Sequence, residues 1–235
     1  KAEEYITKIA KQNKIPMLVG GTGLYINSLL NNLDFTSSII DEDYREDLRN
    51  LAIEKGNIYL HNLLKEIDPR SYERIHPNDV KRVIRALEVY KHTNRPISYF
   101  QNRSREEPCK YRFAYICLTM ERKRIYKRIN QRTEQMIDEG LIEEVESLLK
   151  MGYDKDLVSM QAIGYKEIAS FLLGETTKEE AINILKTNTR RYAKRQLTWF
   201  RADKRVHWVN IDEYSDKEEV AEAVTSYAIE KLSLI

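Results

Sequence analysis

The sequence predicts an α/β fold: a parallel sheet with flanking helices, interrupted by an all-helical insert. Three observations lead there. Short apolar runs at 17–20, 111–120 and 206–211 are separated by long helical periods. Those runs are continuously hydrophobic rather than alternating, as strands covered on both faces require. Between about 41 and 105 no strand-like run occurs, only short helical periods broken by turn signals.

Residues 2–12 read as a helix, with Tyr5, Ile6 and Ile9 on its apolar side. The stretch "PMLVGGTGLY" then supplies a strand over Met17–Gly20, a tight Gly-Thr turn, and a helix over Leu24–Leu30. Turns of this kind often hold phosphate, yet neither G-x-x-x-x-G-K-[ST] nor G-x-G-x-x-G is present. Within the insert, Gly56-Asn57, Asp68-Pro69 and His76-Pro77-Asn78 mark turns. Asn78 or Asp79 caps the next helix, whose buried face is Val80, Val83, Ile84, Leu87 and Tyr90. "YRFAYICLTM" is rich in β-branched and aromatic residues and reads as a strand. A long helix follows to about Glu139 and stops at Gly140; a second covers Leu141–Lys150 and a third Ala162–Leu173, ended by Gly174. Thr177 and Glu180 form a capping box that opens the last long helix. "VHWVNI" is a closing strand. Asn13 and Asn94 follow helices at positions where glycine is usual, and Asn is the next most tolerant of a left-handed backbone. Three strands are few for a parallel sheet, and Lys1 opens in mid-helix, so we expect further sheet sequence upstream.

Composition narrows the function classes. Of 235 residues, 42% are hydrophobic and 32% charged, enough for a core and unlike a disordered chain. No apolar run approaches the length of a membrane span. Cys109 and Cys117 have no ligand-like neighbours and read as reduced thiols, and the four histidines are scattered. A net charge of +2 names no partner, but its distribution does. From Ala181 to Ala202 there is no acidic residue, while Lys186, Arg190, Arg191, Lys194, Arg195 and Arg201 fall in that window. A second basic block runs from Arg122 to Arg132, and acidic residues gather near 41–47 and 139–146. Separated basic blocks can bind a polyanion locally.

Four constellations carry chemistry. Arg124, Arg128 and Arg132 fall four apart on one helix stripe, a guanidinium row suited to phosphate or diphosphate. Lys81, Arg82 and Arg85 cluster as phosphate-backbone contacts would. In "VSMQAIGYKE", Gly164 interrupts a helical run where backbone or ligand comes close, flanked by an amide, Gln161, and a stacking surface, Tyr165. In "RRYAKRQLTWFR" cations alternate with aromatics, of which Trp199 and Phe200 read as core anchors. Taken alone, the two basic patterns are more often solvated faces, and Gly164 reads equally well as a helix-packing glycine.

Their order is more specific. "PMLVGGTGLY", "RIHPNDVKRVIRALEVY", "RINQRTEQMIDEGLIEEV", "QAIGYKE" and "AKRQLTWFR" together resemble the tRNA dimethylallyltransferase (isopentenyltransferase) family from about Lys14 to Asp212. The resemblance implies a P-loop-NTPase-like core, over 1–40 and 106–235, and a helical tRNA-binding insert over 41–105. It implies transfer of a dimethylallyl group from dimethylallyl diphosphate to N6 of the adenine 3′ of the anticodon, with Mg²⁺ as cofactor. It places Arg132, with Arg128, on the donor diphosphate, and Thr22 beside the reaction as well as on tRNA. Arg45, Lys81, Arg82, Val83, Ile84 and Arg85 correspond to tRNA-contacting positions. So do Gln161, Ala162, Ile163, Gly164, Tyr165 and Lys166, and Lys194 and Arg195 on the last basic helix. The family's phosphate loop and general-base Asp have no counterpart in these residues, from which we expect a chain silent by itself. The partners implied are the tRNA anticodon stem-loop and dimethylallyl diphosphate; the setting is a cytoplasmic monomer with no membrane. Two alternatives stay open: an adenylate isopentenyltransferase acting on free nucleotides, and a noncatalytic RNA-binding fragment.

Overall fold

Local signals set most of the helix boundaries in this protein. A computed structural model describes residues 1–32 and 40–233, and the chain divides into two compact units, Lys1–Arg112 and Phe113–Ile235. The junction expected just before Asp41 includes residues 33–39, which lie outside the described residues.

The first unit holds α1 (Ala2–Ala10), α2 (Gly23–Leu30), α3 (Glu42–Lys55), α4 (Asn57–Asn62), α5 (Leu64–Ile67), α6 (Pro69–Arg74), α7 (Val80–Thr93) and α8 (Ile97–Glu106). The turn signals fall between these helices. Gly56 separates α3 from α4 at φ +87°, a conformation that disfavours any side chain. Asp68 caps α6, with Pro69 at the first helical position, and Asp79 caps α7 by accepting from the Arg82 amide. α7 is the central helix: its Val83, Ile84, Ala86 and Leu87 pack with Leu48 and Ala52 of α3, Leu60 of α4 and Leu64 of α5. Asn13 and Asn94 adopt φ of +55° and +51°, as their positions after α1 and α7 predict.

Met17–Gly20 is not a strand. The segment is irregular, with Met17 and Val19 81% and 83% exposed. A strand exists only through bonds to a neighbour, and among the described residues no strand pairs with this one. An apolar run can therefore have strand-forming composition and still remain irregular.

The second unit holds β1 (Ile116–Thr119), α9 (Arg122–Asp138), α10 (Leu141–Lys150), α11 (Tyr165–Leu172), α12 (Lys178–Arg201), β2 (His207–Asn210), a 3₁₀ turn (Ile211–Glu213) and α13 (Lys217–Leu232). β1 and β2 pair in parallel, Ile116 opposite His207 through Thr119 opposite Asn210. The parallel character is as expected, but the sheet among the described residues has two strands, not three. The expected strand over 111–120 shortens because its partner offers only four residues. Leu141, Val145, Met160, Ile168, Ala169 and Leu185 form the core of α10, α11 and α12. Thr177 and Glu180 make the reciprocal capping box, with Oγ1 accepting the Glu180 amide at 3.2 Å and Oε2 accepting the Thr177 amide at 2.8 Å. The third helix begins at Tyr165 rather than Ala162, because Gly164 stands at φ +106° and cannot continue a helix N-terminally. α13 lacks the buried stripe that announces a helix, since none of its residues is buried. Its signal was the cap: Asp216 accepts the Glu219 amide at 2.9 Å.

Candidate nucleic-acid interface

In the first unit, the Gly-Thr turn ends on Thr22, the N-cap of α2. A threonine here normally turns its hydroxyl onto the helix amides. This one makes no such cap bond and is exposed. Gly20 has open space where a Cβ would sit, so the backbone can be approached closely. Among the described residues, the turn thus presents a hydroxyl that makes no cap bond beside a Gly20 backbone with open space around it.

Arg45 and Arg85 lie on different helices and meet at one carboxylate, Glu88. Its side chain is 0% exposed. Arg45 donates Nε to Oε1 at 2.8 Å and Nη2 to Oε2 at 3.1 Å; Arg85 donates Nη1 to Oε2 at 2.5 Å. The Asp41 amide donates to Oε1 at 3.0 Å. Burial pushes Glu88 up, but these hydrogen bonds outweigh it and hold the carboxyl below its ordinary value; Arg45 is raised in return by its bond to Glu88. Asp41, the cap of α3, accepts from the Tyr44 amide, Lys91 and His92, which keep it below its ordinary value. Lys81 and Arg82 are exposed on α7, Arg82 paired to Asp79. Val83 and Ile84 sit between these cations in sequence but in the core in space (0% and 5% exposed). Their side chains offer no surface to a ligand; they anchor the helix that carries the cations.

Reading the residues alone did not single out Glu88. The signal was present: an acidic residue one turn beyond Ile84, flanked by Leu87 and Val89, on the apolar side of α7.

In the second unit, the α9 stripe is partitioned by pairing. Arg124 is bound to Asp212, whose other oxygen accepts the Glu121 amide. Arg132 meets Glu139 at 3.1 Å, both more than half exposed. Arg128 is exposed and, among the described residues, has no acidic partner. Arg128 and Arg132, one turn apart, are therefore the two members of the stripe open to an anion. On the opposite side Lys186 bonds Glu134 at 2.7 Å and Arg190 bonds Asn130, tying α12 to α9. These cations of the acid-free window are structural.

Gln161–Lys166 forms the approach to α11. Gln161 and Ala162 are exposed, and Ile163 packs on the unit's core. The Gly164 amide donates to Glu167 at 2.8 Å, and Glu167, buried, also accepts from Asn188 on α12 at 2.7 Å. Lys166 reaches the same carboxylate at 3.6 Å. Tyr165 donates its hydroxyl to Glu144, which raises its pKa. Gln161 is held by the Lys155 carbonyl at 2.8 Å. Further along α12, Lys194 and Arg195 are exposed, Arg195 stacked 5.7 Å over the Tyr192 ring. Phe200 is buried against Tyr115, as expected of a core anchor, but Trp199 is 42% exposed. Neighbours on a helix point about 100° apart, so both cannot face one core.

Among the described residues no group of three or more His, Cys, Asp or Glu could hold a metal ion. No described helix is long and apolar enough to cross a membrane.

The sequence model of the IPP transferase family matches residues 1–203. A tRNA dimethylallyltransferase of Acetivibrio thermocellus is 52% identical over 226 residues, 96% of this chain and 72% of that protein. One of Carboxydothermus hydrogenoformans is 48% identical, over 97% of this chain and 72% of the relative. Among solved structures, the full-length tRNA isopentenylpyrophosphate transferase of Bacillus halodurans is similar at TM-score 0.65 and 43% identity, covering 99% of this chain and 73% of that one. A eukaryotic dimethylallyltransferase acting on tRNA is similar at TM-score 0.74 and 26% identity, over 95% and 59%. This chain belongs to the IPP transferase family.

Proposed function

We propose that the chain transfers the dimethylallyl group of dimethylallyl diphosphate to N6 of the adenine 3′ of the anticodon in tRNA. The observation that carries this reading is the family match across residues 1–203, joined to relatives of that activity at about half identity over nearly the whole chain. The expectation of a silent chain finds no support in matches that span 96% and 97% of it.

The chemistry is displacement at an allylic carbon. A bond forms from the adenine N6 to the donor's first carbon, the carbon–oxygen bond to diphosphate breaks, and N6 loses a proton. Negative charge grows on the leaving diphosphate, where a guanidinium fork stabilises it in place. Arg132 fills that role with Arg128 beside it, since Arg124 is already committed to Asp212. Mg²⁺ belongs to this reading as an ion that travels with phosphate oxygens. Thr22 offers its hydroxyl to the nucleic acid at the turn. Arg45, Lys81, Arg82 and Arg85 bind tRNA phosphates, and Gln161–Lys166, Lys194 and Arg195 extend the contact.

The organisation proposed is a P-loop-type catalytic core over 1–40 and 106–235 with a tRNA-binding insert over 41–105. Parallel pairing of β1 with β2 supports the core. A hydrogen bond of 3.0 Å from Asn32 to the Pro108 carbonyl supports the insert, because the chain departs and returns at adjacent points. We place the enzyme in the cytoplasm as a monomer.

The free-nucleotide alternative is disfavoured by the extended cationic surface, which a mononucleotide does not need. Labelled dimethylallyl diphosphate offered with an unmodified anticodon stem-loop and with AMP decides between them. Label in the stem-loop and not in AMP is expected; preference for AMP reverses the assignment.

A further inference from the structure

We propose that Glu167 is a positioning residue for RNA binding: its buried carboxylate ties the Gln161–Lys166 segment to α12, so that this segment and Lys194 and Arg195 meet the anticodon stem-loop in one fixed arrangement. The inference rests on the proposed RNA role of those residues. The Glu167 side chain is 2% exposed, and its two oxygens serve two different elements. Oε2 accepts the Gly164 amide at 2.8 Å, and Oε1 accepts Asn188 Nδ2 of α12 at 2.7 Å. Lys166 Nζ stands 3.6 Å from the same Oε1. Asn188 precedes Lys194 on one continuous helix, about 9 Å along its axis. A tie at Asn188 therefore fixes the segment against the rigid element that carries the two cations.

The apolar contacts of the segment cannot set that bearing. Met160 and Ile163 pack on the core of this unit. Burial of apolar surface is non-directional, so these side chains fix the depth of the segment and leave its orientation to α12 open. Hydrogen bonds are directional, and a carboxylate bonded at both oxygens supplies the missing constraint. Taking a carboxylate out of water is unfavourable, and an apolar side chain of similar volume often stabilises a fold as well or better. Two simpler roles predict different outcomes. If Glu167 only caps α11, its bond to Gly164 is sufficient and Asn188 is dispensable. If Glu167 acts only through its charge, removing that charge beside a polyanion site tightens RNA binding. Positioning predicts weaker binding when either end of the tie is cut, and retained binding when the tie is kept without the charge. Glu167→Gln is that last case. Its carbonyl can accept the Gly164 amide, as Gln does in capping boxes, and its NH₂ can donate to an Asn188 amide turned to present oxygen.

The test measures transfer of labelled dimethylallyl from its diphosphate to an unmodified anticodon stem-loop by the full chain, with a thermal melt beside it. Glu167→Ala should raise KM for RNA by about tenfold, the loss of one charge-assisted contact, and Asn188→Ala by about threefold. Turnover at saturating RNA and KM for the donor should stay unchanged, and Glu167→Gln should restore the parent KM. Loss of folded protein lowers turnover instead and does not produce that split. Tighter RNA binding by Glu167→Ala, or the parent KM in Asn188→Ala, overturns the inference. So does a Glu167→Gln protein as weak as Glu167→Ala, because charge and not the tie would then matter. Should Glu167→Ala fail to fold, Asn188→Ala carries the test: a raised RNA KM at unchanged turnover supports positioning, and an unchanged one refutes it. Gln161→Ala and a Lys194→Ala/Arg195→Ala double variant test the underlying reading. If neither raises KM for RNA, the RNA role of these residues fails; if both do and Asn188→Ala does not, only the positioning role fails.

Discussion

Replacing Arg132 by Ala should abolish most of the turnover and leave the fold intact. The structure gives both halves of that expectation. Arg132 lies on the exposed side of α9, and its one ion pair among the described residues, with Glu139, joins side chains 58% and 53% exposed. A pair so open contributes about 0–1 kcal/mol, so melting should shift by little. On the other side, a guanidinium aimed at charge that develops on the leaving diphosphate contributes about 3 kcal/mol, or roughly two orders of magnitude in turnover. Arg128, one turn away, can still attract the donor, so KM for dimethylallyl diphosphate should rise less than turnover falls. The assay is steady-state transfer of labelled dimethylallyl to an anticodon stem-loop, run beside a thermal melt. An Arg132→Ala protein with unchanged kcat and donor KM refutes the assignment. A protein that loses activity only in proportion to lost folded material also refutes it, because Arg132 would then be structural.

Three further expectations follow from particular contacts. Replacing Lys81 and Arg82 together by Ala should weaken tRNA binding and lower its salt slope by about two, while donor affinity stays constant; a loss of donor affinity instead would misplace α7. Gly164→Ala should destabilise by about 1–3 kcal/mol through backbone strain, since the added Cβ would meet Leu141 Cδ2 at an ordinary 3.9 Å and the φ of +106° is the difficulty; urea melts read it, and an unchanged midpoint contradicts the glycine's conformational role. Acid should weaken the first unit. Asp68 and Glu88 are both pushed up by burial, yet their hydrogen bonds hold each below its ordinary value of 3.8 and 4.5. Their contribution is complete above those values and is lost as pH falls through the lower folded ones. Melts between pH 7 and 3 should show the decline, and Glu88→Gln should shrink it.

What the sequence by itself determined was set within a few residues along the chain. The capping box at Thr177 and Glu180, the Asp68-Pro69 start and the left-handed Asn13 and Asn94 depend on neighbours up to four positions away, and the apolar face of α7 is announced by its spacing along the helix. Periodicity and capping chemistry report such interactions directly. Only the tertiary structure decided what depends on distant partners. Met17–Gly20 has strand composition but no strand to pair with among the described residues. Trp199 and Phe200 are adjacent in sequence and part company between solvent and core. Most of all, it sorted the cations. Arg124 is spent on Asp212, 88 positions away, and Arg45 is gripped by Glu88, 43 positions away, while Arg128 is left open. A sequence shows how many charges a helix carries. Whether a charge is free to bind an anion depends on which carboxylate the fold brings beside it, and that is a property of the folded chain.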